Sequence, residues 1–204
     1  MESKVNLEIR NNIAILEIFN PPVNALSLPI RKHLMELLDE AEQDNSVLAI
    51  IIVGKGNTFP AGADIKEFGN PPKSPLLPLI CNKIEALEKP VICSMHGTVL
   101  GGGLEIALSC HYRLATLKTK LGLPEVHLGL IPGAGGTQRL PRLVGLLEAL
   151  RITASGIPID ATKAKKLELI DEIIIDIKED AINFTNKVLS SKTSRTLLWT
   201  RTRI

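Results

Sequence analysis

Two glutamates twenty positions apart, each led in by unusual backbone, carry most of the chemistry legible in this chain: Glu105 ends Gly101-Gly102-Gly103-Leu104-Glu105, and Glu125 ends Leu123-Pro124-Glu125. Three adjacent glycines put no side chain between a ligand and the main chain, and the helical run 102–109 behind them points unpaired N–H groups outward. Such a helix start attracts negative charge. Glu105 falls in its first turn, where the dipole favours the ionised form, so it is a candidate base unless a second carboxylate nearby competes for the proton. Two carboxyl groups beside a glycine-opened helix suit proton transfer next to a polarised carbonyl. Taken singly, the same residues have plainer readings: a tight turn, a carboxylate complementing a helix dipole, and a solvated loop residue.

Other candidate groups are weaker. His33, His96, His111 and His127 are scattered, and none has ligand spacing with another histidine or a cysteine, so structural roles are expected. His127, two positions from Glu125 in a segment read as extended, would share its face. Ser94 and Ser109 lack the G-x-S-x-G setting of a hydrolase nucleophile. Cys81, Cys93 and Cys110 form no C-x-x-C pair, which argues against a zinc site or disulfide scaffold and fits a reducing compartment.

The elements that must position these groups alternate. Residues 5–10 and 13–19 read as strands of a hairpin turned at Asn11-Asn12. Ser27 as N-cap and Pro29 inside the first turn open an amphipathic helix with Leu34, Leu37, Leu38 and Ala41 at helical spacing, running to Asp44. Residues 48–53 are apolar on both faces, the pattern of a strand covered on two sides. A helix over 79–88, a strand over 91–95 and the glycine-led helix follow. Further on come strand 112–115, extended segment 121–130, a helical region opened by residues 133–136, and a strand over 170–175. Alternation of this kind predicts an α/β fold whose sheet edges feed the site loops. The residues beyond Asp180 read as an interrupted element or a linker, and the expected division is one domain over 1–190 with a basic end over 191–204.

The composition supports this. The 204 residues are 45% hydrophobic and 23% charged, enough for an ordinary core. Aromatics are 3%, and 24 basic residues stand against 22 acidic ones, so neither stacking platforms nor a strong positive field suggests a nucleic-acid partner. Neither a secretory nor a transit peptide is legible at the start, no apolar run approaches the roughly 20 residues that span a bilayer, and the last residues are no peroxisomal address. The expected location is the cytoplasm, or the peroxisomal matrix if the natural chain is longer.

The residues 21–26 (Pro-Pro-Val-Asn-Ala-Leu), 59–65 (Phe-Pro-Ala-Gly-Ala-Asp-Ile), 96–105, 122–125 and 129–137 (Gly-Leu-Ile-Pro-Gly-Ala-Gly-Gly-Thr), in this order and spacing, resemble the enoyl-CoA hydratase/isomerase (crotonase) family over most of the chain. The wording is most similar to the hydratase portion of multifunctional β-oxidation enzymes. The resemblance implies a crotonase-like spiral of repeated ββα units and a coenzyme A thioester as substrate, with no metal and no redox cofactor. It implies that the N–H groups of Ala63 and Gly102 hold the thioester oxygen, and that Glu105 and Glu125 flank a water which the N–H of Gly133 orients. It carries Ala61, Ala63, Asp64 and Ile65 to the adenine and pantetheine, with Gly102 also at the substrate and Lys66 near the nucleotide phosphates. Asp64 also reads as an N-cap of a short turn. Pro60 departs from the Ser, Cys or Ala common in the family. Family members usually continue into helices that cover the acyl pocket and mediate trimers, so a homotrimer is expected if those helices follow and a monomer if the chain is part of a multifunctional enzyme.

The expected activity is syn hydration of trans-2-enoyl-CoA to 3-hydroxyacyl-CoA in fatty-acid β-oxidation. Two rivals stand beside it. A Δ3,Δ2-enoyl-CoA isomerase needs one base, which Glu125 could supply, and a non-catalytic acyl-CoA-binding or assembly module needs neither glutamate.

Overall fold

The computed structural model describes residues 3–67, 69 and 71–191. The N-terminal hairpin pairs β1 (Lys4–Arg10) with β2 (Ile13–Phe19) antiparallel, and Asn11 and Asn12 make the turn with φ of 53° and 63°. Asparagine tolerates this left-handed region, and a two-residue turn of that hand suits the strand twist. Helix α1 (Leu28–Gln43) begins after Ser27, as its Pro29 implies, but the serine side chain makes no capping bond. The Leu28 N–H donates instead to Glu67 Oε1 at 2.7 Å. Strand β3 (Ala49–Gly54) is buried throughout, and helix α2 (Leu77–Ala86) starts two residues before the expected 79 because Pro78 fits a first helical turn.

Next come β4 (Val91–Met95), β5 (Thr98–Leu100), α3 (Gly102–Ser109), β6 (Tyr112–Thr116) and β7 (Lys120–Gly122). The segment 121–130, expected to be extended throughout, leaves the strand after Gly122 and turns into a 3₁₀ helix over Pro124–Leu128, with Gly129 closing it at φ 68°. Pro124 presets the helical φ at the first position of that turn. The helical region after Gly133 begins at Gly136 and is split by Gly145 into α4 (Gly136–Val144) and α5 (Leu146–Ser155). The chain then adds β8 (Ile159–Asp160), α6 (Ala161–Lys166), β9 (Glu172–Ile174) and α7 (Glu179–Ser190). The strand expected over 170–175 is thus shorter, and the residues beyond Asp180 are a helix as far as Ser190. Apart from Ser191, the basic end 191–204 lies outside the described residues.

The large sheet has order β1-β2-β3-β4-β6-β9, parallel from β2 onward, and the small one order β5-β7-β8. Single bridges extend the small sheet: Leu26 pairs with Ala63, Ala61 with Leu100, and Leu100 continues onto Gly122. Each turn of chain therefore lays one strand in the large sheet, touches the small one, and returns through a helix. That repeats at β2–Leu26–α1, β3–Ala61–α2, β4–β5–α3 and β6–β7–α4, a spiral of ββα units. Alternate residues divide between two cores. Leu16, Ile18, Ile50, Ile52, Cys93 and Met95 pack with α1, α2 and α3, and Ile13, Ile15, Ile51, Ile92 and Leu114 pack with Ala181 and Ile182 of α7. Among the described residues no helix is long and apolar enough to cross a membrane.

Asn24, 2% exposed with φ 54°, ties the first turn of the spiral to the second. Its Nδ2 donates to Lys55 O (2.9 Å) and Thr58 O (2.7 Å), and its Oδ1 accepts from the Asn20 N–H at 2.8 Å. Asn24→Ala leaves those buried groups unpaired and keeps a side chain in the left-handed region, so a loss of about 2–4 kcal/mol is expected in urea unfolding. A loss under about 0.5 kcal/mol, the range of neutral surface changes, would show that this tie contributes nothing.

Candidate active site

Glu105 lies one turn into α3 and is 3% exposed. Its Oε1 accepts two main-chain bonds, from the Ala134 N–H at 2.7 Å and the Gly136 N–H at 2.9 Å. Burial pushes its carboxyl above the usual carboxylate range, while those two amides and the Arg139 guanidinium pull the other way. Gly136 admits this grip because it lacks a side chain: a Cβ there would come within 3.1 Å of Glu105 Oε1.

Glu125 sits in the 3₁₀ helix, and its carboxyl lies over the glycine run, with Oε1 3.1 Å from where a Gly101 Cβ would stand. Its Oε2 is buried without a hydrogen-bond partner among the described residues. Burial raises this carboxyl too, and the charge of Glu105 adds to the rise against an opposing bond from its own main chain. The two acids, twenty positions apart in sequence, are thus brought near enough for the charge of one to act on the other. Gly101 has φ 50°, and its N–H bonds Gly122 O at 3.0 Å, which sets the 3₁₀ helix beside the start of α3.

The segments carrying the amides assigned to the thioester oxygen also lie close together. In the Leu26 bridge it is Gly62 whose carbonyl accepts from the Leu26 N–H, at 3.0 Å, which turns the Ala63 N–H away from that pairing. A Cβ built on Gly102 would lie 3.5 Å from Ala63 N, so the two main chains run side by side. As the first residue of α3, Gly102 has an N–H with no partner inside the helix. Ala61 is bridged to Leu100, and Ile65 and Lys66 lie in a 3₁₀ turn over Ile65–Glu67. Asp64 Oδ1 accepts the Lys66 N–H at 3.0 Å, the capping role expected of it. Gly133 is exposed and stands three residues before α4 rather than at its opening; Ala134 and Gly136 supply the amides that reach Glu105.

Three of the histidines and the two candidate serines are engaged elsewhere, and His33 is exposed on α1. His96 Nε2 meets Gly56 O at 2.9 Å, His111 Nδ1 accepts from the Val91 N–H at 2.8 Å, and His127 Nε2 meets Ser155 O at 2.9 Å. The 3₁₀ turn removes the shared extended face expected for His127 and Glu125. Ser94 Oγ donates to Ile177 O and Ser109 Oγ to Glu105 O. The three cysteines are buried free thiols. Sequence reasoning gives no role to Ala134, Gly136 or Arg139; the signal available is a glycine-rich loop running into a helix with an arginine in its first turn.

The Glu125 environment has a consequence for stability. A carboxyl that holds its proton more tightly folded than unfolded stabilises the fold fully below the ordinary value of 4.5, and that contribution is lost as pH rises through the raised value. Glu125→Gln cannot ionise. Its thermal midpoint is expected to match the wild type near pH 4 and to exceed it at pH 9, by about 2–4 °C for each kcal/mol relieved. Calorimetry at both pH values checks this, and midpoints that coincide at both would overturn it.

With fold and site in place, the class is defined: the enoyl-CoA hydratase/isomerase family model matches residues 8–198, and the chain belongs to that family. A probable enoyl-CoA hydratase of Bacillus subtilis (strain 168) is 45% identical over 197 residues, covering 90% of this chain and 76% of that one. The peroxisomal bifunctional enzyme of Danio rerio is 46% identical over 165 residues, 81% of this chain but 23% of that enzyme. This chain thus spans about a quarter of the bifunctional relatives it matches. The crystal structure of an enoyl-CoA hydratase from Bacillus anthracis superposes with a TM-score of 0.86 at 31% identity, over 92% of this chain and 77% of that one.

Proposed function

We propose that this chain hydrates trans-2-enoyl-CoA to 3-hydroxyacyl-CoA in fatty-acid β-oxidation. The observation that carries the reading is the approach of two carboxyl groups in unlike settings to the glycine run whose first helical residue, Gly102, runs beside Ala63. Burial raises the Glu105 carboxyl, but two N–H donors and a nearby guanidinium pull it back toward its anion. Glu125 has a buried oxygen without a partner and a negative neighbour, which favour its acid. Environments that split two carboxyl groups in this way assign base and acid.

In the forward direction, the Ala63 and Gly102 N–H groups hold the thioester oxygen and stabilise negative charge developing there, each contributing about 2.7–4 kcal/mol at the transition state. Glu105 removes a proton from the water as its oxygen bonds to C3, and Glu125 gives its proton to C2. The product gains the elements of one water, and the proton gained by Glu105 restores Glu125 before the next turnover. Gly133 directs its N–H to the water, and residues 61–66 bind the nucleotide and pantetheine, with Lys66 toward the phosphates. The relatives named as hydratases and bifunctional β-oxidation enzymes support the same reading. Incubation with crotonyl-CoA, followed by the loss of enoyl-thioester absorbance and the appearance of 3-hydroxybutyryl-CoA, tests it; binding of CoA esters without turnover would refute it.

A further inference from the structure

Behind the reacting carboxyl lies a buried ionic cluster that the hydration scheme does not use. Arg139 of α4 is 2% exposed and reaches in two directions. Its Nη1 donates to Ala134 O at 3.0 Å, and its Nη2 to Glu85 Oε2 at 2.8 Å and Asn82 Oδ1 at 2.9 Å. Ala134 is the residue whose N–H grips Glu105. One residue therefore faces the guanidinium with its carbonyl oxygen and the catalytic carboxylate with its nitrogen. Gly135 beside it has φ 97°, and a Cβ there would fall 2.2 Å from Arg139 Nη1, so the loop closes directly on the arginine.

The cluster is costly to keep. A buried ion pair offsets its desolvation only with good geometry, and here Glu85 Oε1 and Arg139 Nε are buried without partners among the described residues. A hydrophobic pair would fill the space between α2 and α4 at less cost, so a role beyond packing is indicated. We infer that Arg139, anchored by Glu85 and Asn82 of α2, is a positioning residue that fixes the 134–136 loop and through it the angle and charge of Glu105.

The inference rests on the hydratase reading for its kinetics but not for its spectroscopy. Among the described residues, the charged and titratable groups acting on Glu105 are Arg139 from α4, Glu125 from the 3₁₀ helix and Cys81 from α2, while Glu85 of α2 reaches it through Arg139; Cys81, pushed up to about 12 by burial, stays neutral. Losing the guanidinium removes a charge that favours the Glu105 anion, so the acidic limb of kcat moves to higher pH. Glu85→Gln leaves Arg139 less neutralised and moves the limb the other way.

The test compares wild type, Arg139→Gln, Arg139→Lys, Glu85→Gln and Asn82→Ala in crotonyl-CoA hydration against pH. Alongside it, the carboxyl signal of Glu105 is titrated by ¹³C NMR, identified by its loss in Glu105→Gln. For Arg139→Gln, kcat should fall by about 10–100-fold with KM changed less than about threefold, because a misplaced group costs the transition state more than ground-state binding. The Glu105 titration should rise. Lys keeps the charge without the fork, so it should restore most of the titration and little of the rate. Unchanged kcat and titration in a folded Arg139→Gln would overturn the inference. If that variant fails to fold, Glu85→Gln and Asn82→Ala decide alone: a Glu105 titration and kcat limb identical to wild type in both would overturn it. A wild type that binds crotonyl-CoA without hydrating it sinks the hydratase reading, while the NMR titration still decides the role of Arg139.

Discussion

Glu105→Gln and Glu125→Gln are each expected to lower kcat for crotonyl-CoA hydration by about 10²–10⁴-fold, the usual worth of one positioned proton transfer. Both variants should fold. In Glu105→Gln the new side-chain amide oxygen can still accept from Ala134 and Gly136, whose bonds to Glu105 Oε1 are 2.7 and 2.9 Å. At 125 no bond is lost from Oε2, because that oxygen has no partner among the described residues. KM should change little, since the proposed scheme gives binding of the CoA portion to residues 61–66. The double variant should be little worse than either single one, because two groups that act in one concerted addition are not additive. A second substrate separates the rivals. With a 3-enoyl-CoA, an isomerase working through one base loses turnover only in Glu125→Gln, whereas a hydratase loses crotonyl-CoA turnover in both. Wild-type levels of hydration in either variant would remove that carboxyl from the mechanism.

The parts of this fold that are legible in the sequence are those where local chemistry and tertiary role agree. Asn11-Asn12 turns the hairpin, Pro29 opens α1, and β3 is apolar on both faces because helices cover both. The small sheet is different. Its contributions at Leu26, Ala61, Ala63 and the three-residue β5 and β7 are too short to show a period, and only pairing in space defines them. Glu125 is legible as a candidate site residue, but its setting is not: Leu121 and Leu123 alternate like a strand, while Pro124 starts a 3₁₀ turn that brings the carboxyl to Gly101. Helix α7 is hidden because its buried side is narrow, with Ala181, Ile182 and Thr185 inward. Arg139 is silent for another reason. An arginine in an amphipathic helix reads as surface, and nothing local shows that Glu85, more than fifty positions earlier, waits beneath it.

Gly102 and Gly103 are expected to separate chemistry from folding within one dipeptide. A methyl on Gly103 would fall 1.8 Å from Pro60 O and 2.6 Å from its carbonyl carbon, so the start of α3 or the 59–61 segment must move. Backbone cannot swing aside as a side chain can, and the cost of Gly103→Ala should reach or exceed the upper end of the about 1–3 kcal/mol typical of overpacking. A methyl on Gly102 meets Leu77 Cδ2 at 2.6 Å, the far end of a side chain that can turn, and otherwise stands 3.5 Å from Ala63 N. Gly102→Ala should therefore fold with a nearly unchanged midpoint while crowding the gap between the two amides. If that gap holds the thioester oxygen, kcat/KM should fall by about 10²–10³-fold, comparable to losing one oxyanion donor. Urea unfolding and crotonyl-CoA kinetics on both variants decide the matter. A folded Gly102→Ala with full activity would show that the thioester oxygen binds elsewhere, and a Gly103→Ala as stable as the wild type would show that the close approach of α3 to Pro60 is not needed to hold the site.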